Sequence, residues 1–134
     1  MNKTELMRLA KEARKNAYCP YSKVKVGAAL LTKDGRVYSG ANIENAAYSP
    51  SVCAERVAFF KAVEAGERDF AAIAVAGGKG EEDNDGFAPC GVCRQVMAEF
   101  CGKDFKILLK DGDGISEHAL TDILPLGFSK KNFE

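Results

Sequence analysis

The chain has no excess of either charge, no apolar run long enough to span a membrane, no internal repeat, no low-complexity stretch and only one histidine. Nineteen basic residues balance nineteen acidic ones, so the broad positive surface that a nucleic-acid polymer requires is missing. A small, nearly neutral substrate fits that balance better. The N-terminus is polar and helical in pattern rather than an apolar signal segment, which gives the expectation of a cytoplasmic protein with no membrane partner. The lone histidine, His118, lies in a weakly patterned segment and reads as a surface residue. At 134 residues and 46% hydrophobic content the chain is expected to form one domain with a real core.

What the chain does have is five cysteines, and without an export signal these argue for reduced thiols or a metal site over a disulfide framework. Three of them fall in two short motifs, Cys53-Ala54-Glu55-Arg56 and Pro89-Cys90-Gly91-Val92-Cys93. Cys90 and Cys93, three apart, share one face of a helical turn and can reach the same ion. With Cys53 they make a soft thiolate set suited to Zn²⁺, leaving a fourth position open as a catalytic zinc requires. Glu55, two residues from Cys53, would lie beside such an ion rather than on it. Cys19 and Cys101 read as small buried hydrophobes.

Periodicity places these motifs. Thr4 to Tyr18 reads as an amphipathic helix capped by Asn2 and stopped by Pro20. Strands are expected at Val24 to Thr32 and Arg36 to Ala41, joined by an Asp34-Gly35 turn. Cys53 to Ala65 reads as a helix with Val57, Phe60 and Val63 inward, closed by Gly66. Phe70 to Ala76 follows as a buried strand, and Gly77 to Ala88 as a solvated acidic loop. Cys90 to Phe100 is the next helix, Phe105 to Leu109 and Ile115 to Ala119 are strands, and Leu120 to Leu124 is a helical turn. This order implies a three-layer α/β/α sandwich around a mixed five-stranded sheet. Both cysteine motifs then sit at helix starts, where the helix dipole favours thiolates. Arg56 and Arg94 are placed to donate hydrogen bonds to the sulfurs, a role preferred here over that of ordinary surface helix residues.

The two motifs together resemble the zinc-dependent nucleoside deaminases, in which a first ligand, one residue and a Glu are followed by Pro-Cys-x-x-Cys. Tyr18 to Ser22, Val26 to Leu30, Leu124-Pro125 and Phe128 extend the resemblance over most of the chain, to the short, homotetrameric, Cys₃ cytidine deaminases. The resemblance implies one Zn²⁺ per subunit and hydrolytic deamination of cytidine and deoxycytidine, with Glu55 moving protons between water, ring N3 and the departing amine. It also implies that Asn42 and Glu44, in Asn42-Ile43-Glu44-Asn45-Ala46-Ala47-Tyr48, hold the ribose 3′-hydroxyl. The backbone of Ala54 would hold the base, while Ala46, Tyr48 and Phe128 would contact a substrate in a neighbouring subunit. Val24 departs from the pattern: the family usually has Phe there, packed on the pyrimidine, and Val forfeits about 1 kcal/mol of base binding.

Three other readings compete. A blasticidin S deaminase-like enzyme shares the zinc motifs, but Glu44 after Asn42 is not typical of that group. A thiol–disulfide oxidoreductase would use Cys90 and Cys93 alone and leave Cys53-Ala54-Glu55 without a role. A zinc-stabilised binding module needs a fourth protein ligand that the spacing does not offer.

Overall fold

A computed structural model describes all residues, 1–134. The first helix, α1 (Lys3–Ala13), opens on Asn2, whose side chain accepts a hydrogen bond from the Glu5 N–H at 2.8 Å. It is shorter than its periodicity suggests. After Ala13 the chain tightens into a 3₁₀ turn at Arg14–Asn16, and Tyr18 leaves the helix to pair its backbone with Asn42 and Glu44. Strand β1 (Val24–Thr32) and β2 (Val37–Ala41) form the expected hairpin, with Gly35 at φ +94° making the turn.

The remaining elements are α2 (Ala54–Glu64), β3 (Phe70–Lys79), α3 (Gly91–Phe100), β4 (Lys106–Asp111), β5 (Gly114–Ala119) and the short α4 (Leu120–Ile123). The strands form one sheet in the order β2-β1-β3-β4-β5, with β3 and β4 parallel and every other pair antiparallel. Alternation along each central strand divides the core in two. Ala29, Ala72, Ala74, Ala76 and Leu108 face α1, where Leu6, Met7 and Ala10 cover them. Val26, Ala28, Leu30, Ile73, Val75, Ile107 and Leu109 face α2 and α3. The three-layer mixed sandwich is therefore present as expected.

Two expectations are corrected. On α2 the inward face is Ala54, Glu55, Ala58, Phe59 and Ala62, while Val57 and Val63 are half-buried and Phe60 is 50% exposed. The narrow alanine stripe lets α2 lie almost on the backbone of β2: a Cβ on Gly40 would stand 2.4 Å from the Ala54 carbonyl oxygen. Larger residues cannot occupy that contact. The second correction concerns the acidic segment. Gly77 to Lys79 continue β3; the rest is a largely exposed loop, as expected, but it is pinned by cations. The buried Arg14 guanidinium donates to the carbonyls of Lys25, Gly78, Gly80 and Glu82, Lys11 pairs with Asp83, and Lys110 with Asp85.

The topology also fixes where chemistry gathers. The C-terminal ends of β2 and β3 lie on either side of the start of β1, since Ala41 pairs with Gly27 and Lys79 with Val24. The chain leaving β2 runs to the start of α2, and the chain leaving β3 runs to the start of α3.

Candidate active site

Cys53 and Cys90 are the N-cap residues of α2 and α3, and Cys93 lies buried in the first turn of α3. The three sulfurs lie within 4.8 Å of one another, with Cys53 to Cys90 at 3.6 Å and Cys90 to Cys93 at 3.5 Å. Tetrahedral thiolates about 2.3 Å from Zn²⁺ stand ~3.8 Å apart, so this donor set fits the ion in both chemistry and spacing. No fourth His, Cys or carboxylate joins the cluster, so a closed four-ligand structural site is not formed. Convergence of Cys53 on the Cys90–Cys93 pair likewise removes the basis for reading that pair as a self-contained redox motif.

Among the three thiols, Cys53 is the one electrostatically prepared to ligate. Cys53 is pulled down to about 5, first by the hydrogen bond from the Cys93 thiol and then by Arg56, whose Nη2 donates to its sulfur at 3.6 Å. Cys93 is pushed up, by its interaction with the Cys53 sulfur and by burial. Glu55 is 3% exposed on the first turn of α2, and burial pushes its carboxyl up to about 7, helped by the neighbouring Cys53 sulfur. Arg94 does not behave as expected. Its guanidinium donates to the carbonyls of Pro89 at 2.8 Å and Ile123 at 2.6 Å, and makes no bond to a sulfur. The side chain turns toward α4, so it braces the α3 start against that helix while Arg56 alone reaches the thiols.

A cavity of about 440 Å³ opens over this cluster. Cys53, Glu55, Arg56 and Cys90 line it, together with Val24 and Val26 from β1 and with Ser22, Asn42 and Glu44. Asn42 is buried, and both ends of its amide hold β1: Oδ1 accepts from Val26 N–H at 2.9 Å and Nδ2 donates to the Val24 carbonyl at 2.8 Å. One Nδ2 hydrogen and one Oδ1 lone pair remain for a ligand. Glu44 accepts from the Tyr21 and Ser22 N–H groups at 3.0 and 3.1 Å and from the Ser22 hydroxyl, which holds its carboxyl below the usual range.

Other sequence-predicted residues lie elsewhere. Ala54 is fully buried at the first position of α2. Ala46 is exposed, and Tyr48 and Phe128 are 74% and 58% exposed and do not line the cavity. Phe128 packs edge-on against Phe133. Conversely, Phe87, Ala88 and Val52 line the cavity and were not singled out from the sequence. The position of Phe87 three residues before Cys90 was the available signal, obscured by reading its segment as solvated loop.

A buried carboxylate beside three converging thiols, at the end of a cleft in an α/β/α sandwich, is the arrangement of a hydrolytic metal centre. A family model described as the cytidine and deoxycytidylate deaminase zinc-binding region matches residues 1–109, and the chain belongs to that family. It is 49% identical over 134 residues to a cytidine deaminase of Sporosarcina psychrophila, covering 98% of this chain and 95% of that one. Its fold matches the crystal structure of cytidine deaminase from Burkholderia pseudomallei with a TM-score of 0.87 at 46% identity, covering 96% of this chain and all of that one. A blasticidin-S deaminase of Bacillus cereus is more distant, at 28% identity over 113 residues, covering 81% of this chain and 80% of that one.

Proposed function

We propose that the protein is a cytidine deaminase that hydrolyses cytidine and 2′-deoxycytidine to the corresponding uridines and ammonia. The observation that carries this reading is the convergence of three sulfurs, two of which (Cys53 and Cys90) line, with the buried Glu55, a nucleoside-sized cavity that Asn42 and Glu44 also line. Relatives named as cytidine deaminases over nearly the full chain support it, and the blasticidin S alternative has only the distant match behind it.

Cys53, Cys90 and Cys93 would hold one Zn²⁺ per subunit, and when bound the ion supplies the Lewis acidity that makes water a competent nucleophile near neutral pH. Glu55 takes the proton released by that water and delivers it to N3 of the ring. The water oxygen bonds to C4, and as C4 loses its bond to the exocyclic nitrogen Glu55 relays the remaining hydroxyl proton to the departing amine, which leaves as ammonia while C4 becomes the carbonyl of uridine. A carboxyl buried enough to exist in both protonation states can serve both transfers. The Arg56 guanidinium tempers the charge of three thiolates. Asn42 and Glu44 hold the ribose, the Ala54 backbone holds the base, and Val24 walls the ring.

The reading extends to a single catalytic domain over residues 1–134, acting on a small nucleoside and water, with no nucleic-acid polymer or membrane as partner. We take the working form to be a homotetramer in the cytoplasm, serving pyrimidine salvage, in which Ala46, Tyr48 and Phe128 reach a neighbouring subunit's substrate. No helix is long and apolar enough to cross a membrane. The test is direct incubation of the zinc-loaded protein with cytidine. Equal yields of uridine and ammonia are expected, with blasticidin S turned over far more slowly. Zinc-loaded protein that leaves cytidine intact would refute the reading.

A further inference from the structure

We propose that Phe87 supplies the aromatic wall against which the pyrimidine base packs, replacing the face that Val24 leaves thin. The inference rests on the reading of this cavity as a cytidine site. Val24 and Val26, two apart on β1, present their side chains on the same face of the sheet, and both line the cavity. Val26 is paired with Gly77 on β3, so the residue beside it on that face has no side chain. The ring of Phe87 fills the gap. A Cβ on Gly77 would stand only 2.6 Å from its Cδ1 and 2.7 Å from its Cε1. Glycine at 77 is what lets the ring lie on the strand backbone next to Val26.

The ring is held from both sides. Just before it, the Gly86 N–H donates to the Lys110 carbonyl at 2.9 Å, and the Asp85 carboxylate accepts from Lys110 Nζ at 2.7 Å and Gly112 N–H at 3.1 Å. Just after it, Ala88 and the buried Pro89 lead into Cys90. The side chain is half-buried and lines the cavity. Among the cavity-lining residues Phe87 is the one aromatic, in a lining otherwise made of valines, alanine and polar groups. A flat heteroaromatic ring gains more from an aromatic face than from branched aliphatic surface, in the range of a threefold to tenfold change in affinity. Phe87 also stands three residues from a zinc-ligand cysteine, so a base against it is brought near the reacting end.

The test is Phe87→Leu, which keeps apolar bulk over Gly77 and removes the aromatic face. The expected result is a rise of about threefold to tenfold in both KM for cytidine and the inhibition constant of uridine, with a smaller change in kcat and unchanged zinc content. Phe87→Tyr, which keeps the ring, should hold both constants within about twofold of the parent protein. Adding Val24→Phe to Phe87→Leu should return the two constants toward the parent values. A role confined to packing on Gly77 would instead lower the melting temperature and leave uridine affinity alone. Unchanged KM and uridine affinity in Phe87→Leu, or no recovery in the double variant when it folds, would overturn the proposal. If the parent protein fails to deaminate cytidine, the reaction assigned above falls. Uridine binding by calorimetry to the parent and Phe87→Leu proteins then still tests the wall by itself.

Discussion

At the thiol end of the cavity, Cys53, Glu55, Cys90 and Cys93 come from two helix starts and converge within a single chain. Ala46, Tyr48 and Phe128, by contrast, are exposed and do not line the cavity that the resemblance assigns them to serve. The first set is positioned by hydrogen bonds and burial inside the fold. In the second, Tyr48 holds a left-handed backbone conformation with φ of +61°, although it is not a glycine. Such conformations cost about 1–3 kcal/mol each and persist where surrounding structure requires them. The contrast teaches that the thiol site is fixed by contacts within the chain, whereas the second set is left exposed by it.

The largest effect on that contrast is expected from the thiols. Cys93→Ala should abolish stoichiometric zinc binding and deamination together, read by metal analysis beside the activity assay; retention of either would break the account of the thiol end. Asn42→Ala should destabilise the fold by about 1–3 kcal/mol, because it strands the Val26 N–H and the Val24 carbonyl, and a shift in the urea midpoint measures it. Arg94→Ala should weaken the α3–α4 contact by a similar ~1–3 kcal/mol without loosening zinc, whereas Arg56→Ala should lower zinc affinity by about 10–100-fold; chelator competition separates them.

Tyr48→Ala and Phe128→Ala should leave chain stability within about 0.5 kcal/mol, since both side chains are mostly exposed, yet raise KM for cytidine. Those KM effects should merge with the loss of activity that follows dilution of the assembly. Unchanged KM in both variants would remove the case for a shared site. The smallest effect concerns Cys101, whose thiol burial pushes up to about 12. It should resist alkylation at pH 8 in the folded protein, in peptide-mapped iodoacetamide labelling.

The sequence made the thiol end legible because its geometry is local. A three-residue spacing at a helix start determines which side chains share a face, and Cys53 and Cys90 are both N-caps as that pattern implies. Strand β1 was equally clear, since Val24 to Thr32 is bounded by turn residues on both sides. Long-range packing was not legible. Phe60 was placed inside because it continues an apolar period, but only the alanine face of α2 fits over Gly40. Arg94 was assigned to the sulfurs by proximity along the chain, whereas α4, distant in sequence, captures its guanidinium. Phe87 was hidden in an acidic stretch whose order depends on Arg14, Lys11 and Lys110, cations contributed by α1, the turn after it and β4.

The central claim is that Glu55 carries the protons at a zinc centre built from one chain's three cysteines. The most direct measurement is the ultraviolet absorbance of cytidine incubated with the parent protein and with Glu55→Gln, each with its zinc content determined. The account predicts conversion to uridine by the parent and a fall of at least about 100-fold in Glu55→Gln, with zinc and uridine binding retained. Glu55→Gln protein that holds its zinc and converts cytidine at the parent rate would contradict it.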